Sequence, residues 1–533
     1  MAVLLSLAAC VTTAGRGTQT PVSAADLAWL DRLSFGVDSR TLTEFRARGR
    51  DAYLVAQLTP PAEALPPEVV AAISHLPTAG RSLPDTFAFV QAEEGKIAQL
   101  PSDEAKREAR NALRRAGHDA ATEAKSRLLL RALYGQDSLN EQLVWFWLNH
   151  FSVFEGKARI GFWLADYEAH AIRAHALGHF RDLVLATAQH PAMLEYLDNA
   201  QNAQGHINEN YARELLELHT LGVNGGYTQS DVEALAHVLT GFGLRGAQRA
   251  GGNPRLGELP RTDGVFLFNP GRHDYGPKRL FGQPLRSRGY DELAEAVDRI
   301  IKQPACAEFI VRKLAVYFVG DDPAPALVAR GVATFRLTDG DIREVLRTLL
   351  TAPEFADSLG RKYKDPMHFV TSAYRLAYDG RTVTDTKPLQ EALRTLDQGL
   401  FGRQTPDGYP LTSGAYTSSG QVAKRIDVAR AIGAGALAAA VPAATAMGAG
   451  TGPGTGSGSG PASGPASGPA SGPGSRAGIA PVARGGFAQL SNRLYFDAIE
   501  PTLSAQTRHT LGEARSPQEW NALLLASPEF NYY

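Results

Sequence analysis

Two cysteines in 533 residues, Cys10 and Cys306, leave no disulfide framework to hold this chain together. Neither belongs to a CxxC pair or a CxxCH haem-attachment string, and HExxH, GxSxG and GxxxxGK[ST] are missing as well. Those absences argue against a c-type haem protein, a zincin, an elbow-type serine hydrolase and a P-loop nucleotidase. Gly241-Phe242-Gly243 lacks the strand and the third glycine of a dinucleotide site. Lysine and arginine number 54 against 55 acidic residues, and no basic stripe alternates with aromatics, so nucleic acid is not an expected partner. No segment reaches the ~20 apolar residues that span a bilayer. What remains is a globular composition in a chain long enough to bury a large core.

The densest chemistry lies in residues 205–243, GHINENYARELLELHTLGVNGGYTQSDVEALAHVLTGFG. Asn208 as N-cap and Gly222 as a left-handed C-terminal glycine predict a helix over 209–220. At 100° per residue, Glu209, Asn210, Arg213, Glu214 and Glu217 share one arc, while His219 falls among leucines on the other. His219 and Glu217 therefore cannot share a metal through this helix alone. Thr228 with Asp231 makes a capping-box-like start for a second helix, and the short loop between predicts a helical hairpin.

Glu214 and Glu217 lie one turn apart, a spacing that suits an acid–base pair or the ligation of a hard divalent cation. Asn210 and Arg213 would orient a substrate. His273 and Asp274, in the string FNPGRHD, would add a base or further ligands, with Lys278 as a nearby binding group. The same spacings also make the Glu209–Arg213, Arg213–Glu217 and Asn210–Glu214 pairs of an ordinary surface helix. Both readings stay open. No cofactor is identified, and the metal, if there is one, is not specified by the sequence.

Elsewhere the pattern is helical throughout. Ser23 or Asp26 starts a first helix, 40–58 reads as a second stopped by Pro60-Pro61, and 84–131 reads as long, charged, exposed helices. Residues 139–151 (LNEQLVWFWLNHF) are apolar nearly all round and predict a central core helix. Asn149 and His150 end it, as a rigidly held site or as a cap. Helices over 161–177 and 180–189 flank Gly178. They bring His175 and His179 to an i, i+4 spacing that two metal ligands would use if the helix ran through the glycine. His190-Pro191 begins another helix. Residues 245–263 have loop chemistry, 265–268 predict a strand completed as a hairpin near 278–281, and helices return over 293–301, 309–319, 323–335 and 342–350, with Cys306 as a small buried hydrophobe. Helices ending in a proline turn recur near residues 180, 342 and 520, at spacings too irregular for a solenoid.

The composition divides the chain into four parts. Residues 1–22 read as a lipoprotein-type signal and tether, because Leu7-Ala8-Ala9-Cys10 resembles a lipobox whose cysteine takes the lipid. The apolar run is short and has no basic residue before it, which a start assigned too far downstream would explain. Residues 23–446 form a mainly α, multi-helix domain with the small β element near 264–282. Residues 447–485, rich in Gly, Pro, Ser and Ala, read as a disordered linker inserted in that domain, and 486–533 as a helical segment docking back on it.

Five further strings accompany NENYARELLELHTLGVNGGYTQSDV in order: WFWLNHF, IRAHALGHFRDLVLATAQHPAMLEYLDNAQ, FNPGRHDYGPKRLFG, LFGRQTPDGYP and the terminal LLLASPEF. Together they resemble the bacterial DUF1800 family, a domain of unknown function, over roughly residues 25–440 and the tail. The resemblance implies a mostly helical fold and a frequent association with DUF1501 proteins, which are similar to sulfatases and phosphatases. The expectation is an envelope-associated, lipid-anchored accessory or scaffold protein of a secreted system. The alternative is a carboxylate-based, optionally metal-assisted hydrolase acting on an extracellular polymer or its fragments.

Overall fold

The computed structural model describes residues 22–60, 65–246, 251, 258–435, 440–441 and 488–533. Cys10 and the 447–485 stretch lie outside the described residues. The helix Ser138–His150 is the axis of the molecule: every one of its residues except Asn149 is buried. Its polar members are tied off internally, as burial requires. Gln142 donates to the Arg32 carbonyl at 3.2 Å, and Glu141 is clamped by the Arg173 guanidinium. Trp147 gives its indole N–H to the Ala176 carbonyl at 3.0 Å. One hydrophobic cluster extends from Trp29 to Phe530, so a single core serves the main body and the C-terminal segment alike.

Several helices begin as their caps dictate. Ser23 caps Ala24–Arg32, and Thr228 with Asp231 forms the full capping box at Gln229–Val238. The 40–58 region is two helices, Ser39–Arg48 and Arg50–Leu58, because Gly49 takes a left-handed φ of 77° between them. The charged region forms Leu83–Ala98 and the 32-residue helix Asp103–Tyr134, whose second half is buried through Ala121, Ala124, Leu128 and Leu129 rather than exposed. Residues 161–177 are not one helix either. An α-helix, Ile160–Asp166, widens into a π-helical turn, Tyr167–Ile172, and tightens into a 3₁₀ turn, Arg173–His175. His175 and His179 therefore share no helix. His179 instead precedes Phe180–Gln189 and places Nδ1 at 3.2 Å from the Asp339 carbonyl, so the i, i+4 metal pair does not form.

The strand expected at 265–268 exists, but its partners differ from the expected hairpin. β1 (Phe242–Leu244), β2 (Arg261–Asp263) and β3 (Phe266–Phe268) form an antiparallel sheet of order β1-β3-β2. Residues 279–284 make a separate ribbon of β4 (Arg279–Leu280) and β5 (Gln283–Pro284), turned by Gly282 at φ 75°. Local turn chemistry takes those residues before the long-range pairing can. β2 also lies inside the stretch read as loop.

Residues 488–533 contribute to the same core as the preceding helices. The helix Pro517–Ala526 packs on Ser419–Gly433, and buried Asn521 bridges the Gly433 and Ala488 carbonyls at 3.0 and 2.7 Å. Among the described residues no helix is long and apolar enough to cross a membrane.

Candidate functional site

The helix Asn210–Glu217 is shorter than the expected 209–220, and Gly222 takes the left-handed φ of 80° assigned to it. Glu209 stands at the N-cap without a side-chain cap bond, and Asn208, expected as the cap, lies one residue before it and accepts the Asn210 N–H at 2.9 Å. The polar arc divides by role. Asn210 gives its amide to the Leu197 carbonyl at 3.2 Å rather than to Glu214. Arg213 pairs with Glu209 at 3.0 Å and with Gln229 at 2.9 Å, joining the two helices of the hairpin at the surface. Glu217 accepts the Tyr227 hydroxyl at 3.3 Å.

Glu214 is the perturbed carboxyl of this face. Burial, the neighbouring Glu217 charge and Asp407 raise it above the usual carboxylate range, against the pull of Arg213. Asp407 belongs to the 400–410 loop, where Arg403 donates to it at 2.8 Å. Burial works to raise Asp407, but Arg403 and Thr405 hold it below its ordinary value. Tyr196, whose hydroxyl donates to the Gln404 carbonyl at 3.0 Å, is pushed up to about 12 by burial, Asp407 and Glu214.

The same loop is fastened to the end of the central helix. Asn149 accepts the Tyr409 N–H at 2.6 Å and donates to the Tyr409 carbonyl at 2.9 Å, pairing with that residue as a strand would. Gly408 passes so close, at φ 73°, that an added Cβ would stand 2.1 Å from the Asn149 carbonyl oxygen. Beside it, His150 Nε2 lies 3.0 Å from the His219 carbonyl, which can only accept, so that nitrogen carries the proton. Nδ1 is then an acceptor and receives Lys313 Nζ at 2.8 Å. Burial first, then the Lys313 charge, keeps His150 neutral well below its ordinary value. Burial pushes the Lys313 amine down to about 8, with Asp407 opposing the shift. Neither ring nitrogen of buried His219 has a hydrogen-bond partner among the described residues, and burial drives its value down to about 3. Asp407 thus acts electrically on both Glu214 and Lys313, and it is the residue that relates the helix to the buried bases.

The FNPGRHD loop is built separately. His273 is buried, with Nδ1 2.8 Å from the Thr240 carbonyl. Its Nε2 stands 3.4 Å from Glu292 without the alignment of a hydrogen bond. Buried Lys278 completes the group, 2.7 Å from Glu292 and donating to the Asp274 and Gly276 carbonyls. Asp274 alone faces outward. Its carboxylate lies 2.7 Å from His237 Nδ1 and accepts the Gly276 N–H at 2.7 Å, beside a cleft of about 790 Å³. Burial would raise that carboxyl, but the Gly276 and His237 bonds keep it low.

The sequence candidates therefore occupy four places rather than one. Glu214 and Glu217 sit on the polar helix, the first acted on by Asp407 and the second bonded to Tyr227, Asn149 and His150 sit at the end of the central helix, and His273, Asp274 and Lys278 share a further loop. His175 lines a fourth region, a cleft of about 860 Å³. Among the described residues no three His, Cys, Asp or Glu side chains gather closely enough to hold a metal ion. Lys313, Asp407 and His237 escaped the sequence reading. Asp407 lies inside the LFGRQTPDGYP string, and Lys313 lies in the helix Pro304–Phe318 beside Arg312, with nothing local to mark it as the buried one of the two. Only the fold brings either near Glu214 or His150.

No curated protein and no solved structure matches the chain. The family described as "Protein of unknown function (DUF1800)" matches residues 28–532. That match runs from the first helix past the last, and includes every string that ties the polar helix, the central helix and the 400–410 loop together, so the chain belongs to the DUF1800 family.

Proposed function

We propose that this protein is an accessory or scaffold partner of a secreted sulfatase- or phosphatase-like protein, held at a bacterial envelope by a lipid on Cys10. The observation that carries this reading is the engagement of the polar groups singled out by the sequence. Asn149, Asn210, His273 and Lys278 each hold a backbone segment or a buried partner, and side chains so engaged are not free to bind and release a substrate. What the hairpin leaves at the surface is the Glu209–Arg213–Gln229 network, directional charge of the kind that orients a protein partner.

Co-expression with a DUF1501-type protein tests the partnership. A complex that survives gel filtration and weakens on Arg213→Glu is the expected result, and two separately eluting proteins would sink it. Cys10→Ser should move the protein from the membrane fraction to the soluble one. Unchanged fractionation counts against the anchor.

One observation favours the alternative, a carboxylate-based hydrolase of an extracellular polymer. Glu214 is raised while Asp407, which acts on it, is lowered, the divergence that separates an acid from a base in one site. Glu214→Gln should then abolish polymer hydrolysis while leaving the melting temperature unchanged or higher. Hydrolysis that persists in the variant removes this reading.

A further inference from the structure

The cleft of about 860 Å³ is independent of the site above, and its polar wall is ordered by a chain of three side chains. Buried His190 accepts the Ala192 N–H at Nδ1 (3.1 Å), so its Nε2 carries the proton and donates to Asp166 Oδ1 at 3.0 Å. The other oxygen of Asp166 lies 2.6 Å from His170 Nδ1. His170 is exposed, and a carboxylate fixing its Nδ1–H leaves Nε2 as an acceptor. The π-helical turn Tyr167–Ile172 sets His170 where it stands, and such turns are frequent at functional sites.

The cleft is also lined by aromatic rings. Phe89 and Phe162 stand edge to face at 6.4 Å, and Arg81 lies 4.9 Å over the Phe89 ring. Each oxygen of Asp166 accepts from one of two imidazoles, so both are already occupied. Charged lining of both signs, Arg81 with Asp182 and Asp263, gives the cleft no single-sign field to select a charged ligand, and it pairs aromatic surface with oriented hydrogen-bonding groups. That combination suits a ligand with flat C–H faces and many hydroxyls, and its size is in the range of roughly 300–1,000 Å³ of sites that enclose small molecules.

We propose that this cleft binds an uncharged oligosaccharide segment, with Phe89 and Phe162 against the sugar faces and the Asp166–His170 pair reading its hydroxyls. His175, singled out in the sequence for a metal, lines the same cleft and so belongs to this site. The assignment does not depend on the partner role.

Titration calorimetry on the full chain, with cellotetraose, maltotetraose and chitotriose as probes, tests it. At least one should bind, and His170→Ala should weaken it by roughly tenfold or more, the loss of one good hydrogen bond. Phe89→Ala should do the same, with Arg81→Ala as a milder second variant should Phe89→Ala fail to fold. Melting curves distinguish lost binding from lost structure. No heat from any of the three sugars at millimolar concentration overturns the proposal. Binding that all three variants leave unchanged overturns it too, as does preference for an acidic peptide used as a control.

Discussion

Lys313 shows how much one side chain can report. Its amine is pushed down to about 8, while the unfolded chain keeps the ordinary lysine value near 10.5. Between those two values the unfolded state holds the proton that the folded state has released, so folding stability must rise with pH across this window. Urea unfolding at pH 7.5 and pH 10 should therefore favour the native chain at the higher pH relative to Lys313→Met. The gain is at most on the order of 3 kcal/mol. A pH dependence identical in the two proteins would mean the amine is not so perturbed. Lys278 is the opposite case, a buried cation with a buried partner. Lys278→Met strands Glu292 and should cost about 3–5 kcal/mol, while Lys278→Met with Glu292→Leu should recover most of it. Thermal melts of the single and double variants check this. A double variant no better than the single one would show that the pair does more than balance charge.

At the scale of elements, the clamp between the central helix and the 400–410 loop makes its own prediction. Gly408→Ala must strain a left-handed backbone and meet the Asn149 carbonyl, and Asn149→Ala removes both bonds to Tyr409. Each should lower stability by about 1–3 kcal/mol, measured by denaturant melts. Because both changes release the same loop, their effects should combine less than additively. The elements also show what the sequence could reveal. An apolar run announced a helix over 139–151, and turn and cap residues announced the box at Thr228 and the glycine at 222, because those signals are local. Gly49, whose positive φ separates two helices, lies inside the stretch that reads as one helix over 40–58. The sheet was missed because β3 pairs with residues 242–244 and 261–263, and no local spacing encodes that choice. The candidate site divided the same way. Glu214 and His150 could be named from their own strings, but Asp407 and Lys313 acquire meaning only where loop and helix meet.

For the whole molecule, the relevant fact is that the tail shares the core of the body. Residues 22–441 and 488–533, expressed as two separate chains in one cell, should therefore reassemble and purify together. Asn521→Leu in the shorter piece should weaken the pairing by leaving the Gly433 and Ala488 carbonyls without their donor. Recovery of the longer piece alone, soluble and with a cooperative melt, would contradict a shared core. Arg32 sharpens the point. Fully buried, it donates to the carbonyls of Phe318 and Val319 at 2.9 and 2.8 Å and to the main-chain oxygen of Tyr533, 501 positions away, with the Tyr533 ring 4.6 Å beneath its guanidinium. Arg32 is translated 286 residues before the first of these acceptors, so the guanidinium waits without them through that interval, and the seat of Ala24–Arg32 is completed only after its distant partners have been made.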